Sequence, residues 1–122
     1  MPPVSTPKQT ATVLVVDDDN SARERLCAIF EKAGFRALVA QDVSATLRTI
    51  QTESCDLIVV NLDNTRADGL AVCRLIRARP STSRLPVIAV SSSPDDTERS
   101  KAFGAGVDDF IGQPSSPAEI VS

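Results

Sequence analysis

The chain of 122 residues contains no histidine, no tryptophan and no tyrosine. Without imidazole, Ser-His and Cys-His nucleophile pairs are excluded, and so are zinc sites that need a histidine ligand. Four phenylalanines are the whole aromatic content, so the core has to be built from Val, Ile, Leu and Ala. Long apolar runs are missing as well. None approaches the roughly 18 residues of a membrane span, and the opening MPPVSTPKQT carries no apolar signal stretch. Positive charge is scarce: 13 Lys and Arg stand against 16 Asp and Glu, a formal net charge of −3, with no basic run. That argues against a nucleic-acid-binding surface. The three cysteines, Cys27, Cys55 and Cys73, are widely spaced and odd in number. They read as small buried apolar residues in a reducing compartment, the cytoplasm, rather than as a disulfide framework.

What is present is an ordinary globular composition, 42 % hydrophobic and 24 % charged, at a length that suits one core. Residues 1–11 are polar and hold three of the eight prolines, so a disordered lead is expected there and a single domain over 12–122. From Thr12 the pattern changes. Val13-Leu14-Val15-Val16 is continuously apolar and then stops at Asp17-Asp18-Asp19-Asn20. A short apolar run without alternation is the mark of a strand buried on both faces. Leu57 to Val60 and Val87 to Val90 repeat it, Ala37 to Ala40 reads as a second strand, and Asp109 to Ile111 is a shorter last strand.

Helical spacing fills the intervals. Ala22, Leu26, Ile29, Phe30 and Ala33 share one face, with Ser21 and Glu24 as a capping box and Gly34 as the stop. A second helix is predicted over Ser44 to Glu53, and a third carries Leu70, Cys73 and Ile76 and ends before Pro80. Asp95 to Ala105 predicts a fourth helix with a thin apolar face of Ala102, Phe103 and Ala105. A fifth starts at Ser116-Pro117-Ala118-Glu119 and reaches only about one turn before Ser122. The arginines Arg74, Arg77, Arg79 and Arg84 read as the solvated face of the third helix and its following loop. Strands alternating with helices imply βαβ units with right-handed crossovers: an α/β, doubly wound, flavodoxin-like parallel sheet with strand order 2-1-3-4-5. In such a sheet the functional crevice lies outside the carboxyl ends of the strands.

Polar residues stand at those ends: Asp17, Asp18 and Asp19 after the first strand, Asn61 and Asp63 after the third, Ser91 and Ser92 after the fourth, Gly112, Gln113 and Pro114 after the fifth. Carboxylates with amide and backbone oxygens suit Mg²⁺, a hard ion. The Asp run has a plainer reading as a helix lead-in, where acids are favoured by the dipole.

Four segments in order, VLVVDDD, CDLIVVNLDNTRADGLAVCRLIR, LPVIAVSSS and GAGVDDFIGQP, resemble the receiver domain of bacterial two-component response regulators. The resemblance covers residues 12–122. It implies that Asp17 and Asp18 are the acid pair that holds Mg²⁺. The backbone carbonyl of Asp63 would be a further ligand, and Asn61 stands at the remaining ligand position. Ser91 and Ser92 would contact a bound phosphoryl group. Phe110 falls on the aromatic switch position, and a cis Gln113-Pro114 bond is expected. Two positions depart from the family. Asn61 stands where the phosphoacceptor Asp belongs, and Gln113 where a Lys belongs. An amide cannot attack phosphorus to form an acyl phosphate, and Gln113 offers no ammonium to pair with phosphoryl oxygens.

The resulting expectation is a degenerate receiver, not an enzyme, in which phosphorylation at the usual position is lost and Mg²⁺ binding is weak or absent. It would act as a protein-interaction module, through the face formed by the fourth helix, fifth strand and fifth helix. Its partners would be a histidine kinase, an output domain or another receiver. The alternative is a working phosphoacceptor, with Asp63 as acceptor or with Asn61 a deliberate replacement of Asp. The Asp63 side chain is expected to point away from the crevice, because it alternates with Leu62 after a strand. Two other readings are weaker. Asn61-Leu62-Asp63-Asn64-Thr65 is similar to the DxDxT motif of haloacid-dehalogenase-type phosphatases, but follows the third strand and lacks the nucleophile. A flavin site has no Trp or Tyr to stack on, and DDDNSA in the first loop repels phosphate.

Overall fold

The computed structural model describes residues 11–63, 68–92 and 95–112. Five strands alternate with four helices: β1 (Thr12–Val16), α1 (Asn20–Lys32), β2 (Arg36–Ala40), α2 (Val43–Thr52), β3 (Leu57–Asn61), α3 (Gly69–Ala78), β4 (Val87–Ser91), α4 (Asp96–Ala105) and β5 (Asp109–Gly112). The strands form one parallel sheet in the order β2-β1-β3-β4-β5. Both the class and the strand order match the sequence expectation. The predicted fifth helix lies outside the described residues.

Continuous apolar runs make β1, β3 and β4, which are covered on both faces, whereas the edge strand β2 is only partly covered and leaves Val39 49 % exposed. Alternate residues of β1 point to opposite sides. Val13 and Val15 pack with Leu26 and Phe30 of α1, whereas Leu14 and Val16 pack with Val72, Cys73 and Ile76 of α3. The same alternation divides β3, with Val59 on the α1 side and Ile58 and Val60 on the α3 side. Each fully buried Val or Leu contributes on the order of 1.5–3 kcal/mol. On α4 only Ala102 and Ala105 are buried, and Phe103 is 42 % exposed. Its apolar anchor is therefore smaller than the sequence face suggested.

Every described helix starts on an aspartate whose carboxylate accepts a backbone N–H three residues ahead: Asp19 from Ala22, Asp42 from Ala45, Asp68 from Ala71 and Asp95 from Glu98. Such caps are each worth about 1 kcal/mol. This corrects the Ser21 capping box. The Asp19 N–H donates to Asp17 Oδ1 at 3.0 Å, turning the chain directly after β1, so α1 opens at Asn20. With Asp42 as its cap, α2 begins at Val43, one residue before its expected start. Gly34, with φ of 98°, follows α1 as expected, and Gly106, with φ of 108°, ends α4 in a left-handed turn.

Arg77 is a second correction. Instead of lying on a solvated face, its guanidinium donates to Gly106 O at 2.9 Å, Leu85 O at 2.5 Å, Ser83 O at 3.3 Å and Asp108 Oδ2 at 2.7 Å. Asp108 Oδ2 also accepts the Val87 N–H. One side chain thus ties α3, the approach to β4 and the α4–β5 turn together, at the end of the sheet opposite the crevice. All three cysteines are free thiols. Cys73 is fully buried as expected, and burial pushes its thiol up to about 11. Cys27 and Cys55 are only half-buried, because they sit at the margins of the two apolar clusters.

Candidate functional site

β1, β3, β4 and β5 are neighbours in the sheet, so their carboxyl ends form one rim. Asp17 follows β1 and is fully buried. Its backbone N–H donates to Ala40 O at 3.0 Å, which holds it against β2. Its carboxylate accepts the Asp19 N–H on Oδ1 and the Asn61 Nδ2–H on Oδ2, at 3.0 and 2.9 Å. A charge this deep needs such donors, since an unpaired buried carboxylate is strongly unfavourable. Asp18 is half-buried beside it. Arg23, one turn into α1, donates to the Asp17 carbonyl at 3.0 Å and to the Asn20 side chain.

Asn61 is the last residue of β3 and is 4 % exposed. Its Nδ2 donates to Asp17, and its Oδ1 accepts the Asp63 N–H at 2.8 Å. The two partners fix which end of the amide is which: the carboxylate can only accept and the peptide N–H can only donate. The centre of the rim is therefore neutral. The amide nitrogen has no lone pair free for attack.

Asp63 departs from the expectation. Its carboxylate does not turn away from the crevice but crosses to β4, where Oδ1 and Oδ2 accept the Ser92 N–H at 3.1 and 3.2 Å. Strand alternation failed here because β3 ends at Asn61, and the chain is already turning at Leu62 and Asp63. Ser91 is buried at the end of β4. Phe110 lies in β5, pairs with Ala89 and is almost fully buried. The Arg99 guanidinium stands over its ring at 5.7 Å and over that of Phe103 at 5.5 Å. Gln113 and Pro114 lie outside the described residues. The structure thus brings together Asp17, Asp18, Asn61, Asp63, Ser91 and Ser92. No sequence signal pointed to Arg23 or to the Asp63–Ser92 contact, which joins residues 29 apart in the chain.

All donors at this rim are oxygens, the right kind for Mg²⁺. The Asp17 carboxylate faces position 61, which carries an amide and not a further acid. Among the described residues no three His, Cys, Asp or Glu side chains converge on one point. A pocket of about 330 Å³ flanks the rim between the first turns of α3 and α4, lined by Leu62, Asp68, Gly69, Asp95, Glu98 and Lys101 among others. A Cβ at Gly69 would come within 2.6 Å of Leu62 Cδ2, so the end of that side chain would have to shift to admit one. Among the described residues no helix is long and apolar enough to cross a membrane.

Residues 13–122 match the family model of the response regulator receiver domain. The chain is 28 % identical over 110 residues to the phosphate regulon transcriptional regulatory protein PhoB of Klebsiella pneumoniae, covering 90 % of this chain and 48 % of that protein. It is 32 % identical over 110 residues to the response regulator MprA of Mycolicibacterium vanbaalenii, covering 90 % and 47 %. The chain spans about half the length of the curated relatives it matches. Among solved structures, the receiver domain of a signal transduction histidine kinase from Syntrophus aciditrophicus superposes with a TM-score of 0.83 at 25 % identity, over 92 % of this chain and 85 % of that one.

Proposed function

The chain belongs to the response regulator receiver domain family, and on that premise we propose that it signals by binding protein partners without being phosphorylated at position 61. The observation that carries this reading is the state of Asn61. It is buried at the phosphoacceptor position and its amide is used at both ends, on Asp17 Oδ2 and on the Asp63 N–H. An acyl phosphate needs a carboxylate oxygen as nucleophile. The amide supplies none, and its hydrogen bonds hold it in place. The Gln113 departure agrees with this, since a cation that would pair with a phosphoryl group has nothing to pair with.

Mg²⁺, when bound in a receiver, neutralises negative charge around the acceptor. Here Asp17, Asp18, the Asn61 side-chain oxygen and the Asp63 carbonyl would hold it. The neutral amide removes one charge from the set, and both Asp17 oxygens already accept N–H bonds. Both effects weaken binding. The partner side is the face that includes α4 and β5, where Phe103 stands exposed beside Arg99. A histidine kinase, an output domain or a second receiver is the class of partner, in the cytoplasm, with residues 12–122 as the interacting domain.

The test is to incubate the protein with Mg²⁺ and a small phosphoryl donor and to measure its intact mass. The expected result is no gain. A hydroxylamine-labile gain of one phosphoryl group would overturn the reading, and peptide mapping would then show whether Asp63 is the acceptor.

A further inference from the structure

We propose that Asp63 is an internal latch: its carboxylate is the built-in ligand of the Ser92 N–H, and it fixes the start of α4 with no other group bound. Both carboxylate oxygens lie within hydrogen-bond distance of that N–H, at 3.1 and 3.2 Å. The bond is the last link of a chain. The Asp19 N–H donates to Asp17, Asn61 donates to Asp17, the Asp63 N–H donates to Asn61, and the Ser92 N–H donates to Asp63. The ends of β1, β3 and β4 are joined by it.

The amide at position 61 is what lets the chain run through. It has a donor for Asp17 and an acceptor for the Asp63 N–H, whereas an ionised carboxylate has acceptors only. Asp63 is held by its own N–H, which places its carboxylate over β4. α4 begins at Asp96 on its Asp95 cap, a few residues beyond Ser92. It buries only Ala102 and Ala105, so its first turns are held by few apolar contacts. An oxyanion arriving at the rim meets a Ser92 N–H that is already taken. The consequence, which rests on the reading above, is that the α4 surface offered to a partner is set by the chain itself and not by a transferred group.

The experiment compares the amide NMR spectra and hydrogen exchange of the whole chain with those of Asp63→Ala and Asp63→Asn. Glu24→Ala, on the exposed side of α1, serves as the control for charge removal. In Asp63→Ala the Ser92 amide should exchange roughly tenfold faster. Its signal and those of Glu98 to Ala102 should move, while the amides of β1 and β2 stay. Asp63→Asn keeps one acceptor oxygen and should give a smaller change at the same amides. Unchanged Ser92 and α4 amides in both variants overturn the proposal. If Asp63→Ala loosens every amide alike, Asp63→Asn decides: a change centred on Ser92 supports the latch, and no change there overturns it. The mass measurement on the unsubstituted chain reads separately. A phosphorylated protein with the latch intact overturns only the proposed function, and an unphosphorylated one whose Ser92 amide ignores Asp63 overturns only the latch.

Discussion

Replacing Asn61 by Asp should destabilise the protein in the absence of Mg²⁺. The structure sets the scale. Asn61 Nδ2 donates to Asp17 Oδ2 at 2.9 Å, and both residues are buried. The substitution removes that charge-assisted bond, worth about 1.5–3 kcal/mol. It also puts a second carboxylate oxygen where the donor stood. Two unit charges at the 2.9 Å separation of that bond repel by about 6 kcal/mol at an effective dielectric of about 20. The full sum is not reached, because one carboxyl can take up a proton instead. At pH 7 that costs about 4 kcal/mol from the ordinary Asp value. A shared proton also restores a bond between the two groups. The loss should therefore lie between about 2 and 4 kcal/mol, a large share of the 5–15 kcal/mol expected of such a domain. Urea unfolding followed by circular dichroism reads it directly. Mg²⁺ should return part of the loss in the variant: at ten times its dissociation constant a ligand adds about 1.4 kcal/mol. The same addition should barely move the unsubstituted chain. If Asn61→Asp without Mg²⁺ is as stable as the parent, the Asn61–Asp17 bond is not what holds the buried charge, and the account of the site fails.

Two further outcomes are expected. Arg77→Ala should cost about 2–3 kcal/mol by urea unfolding, because the carbonyls of Ser83, Leu85 and Gly106 lose their shared donor. Arg77→Lys should recover less than half, since an ammonium lacks the guanidinium fork. An alanine variant as stable as the parent would show the clamp to be ornamental. The Cys73 thiol, held at about 11 by burial against an ordinary 9.0, should resist alkylation at pH 8 while Cys27 and Cys55 react. Its folded value lies above the unfolded one. Stability is therefore intact below pH 9 and falls as pH rises toward 11, by on the order of 2–3 kcal/mol. Cys73→Ala should flatten that part of the stability profile, and an unchanged slope would refute the assignment.

The sequence by itself determined the sheet. Val13 to Val16, Leu57 to Val60 and Val87 to Val90 are apolar without alternation, and only a strand covered on both faces uses such a run. The crossover rule then brought Asp17, Asn61 and Ser91 to one edge, because the side-chain period and the connection hand are local properties of the chain. That position 61 carries an amide could be read from one letter. What that amide does could not. Its bond to Asp17 spans 44 residues and the Asp63–Ser92 bond spans 29, and periodicity carries no information about partners so far apart. Ser21 looked like the cap of α1 by spacing, but Asp17 drew the Asp19 N–H and the helix opened earlier. Arg77 looked like a solvated charge, but its guanidinium donates to three carbonyls that the fold brings around it. In each case the tertiary structure decided, because a polar side chain takes whichever partner the packed sheet leaves within about 3 Å. Hydrophobic pattern settles only which side of the sheet that partner lies on.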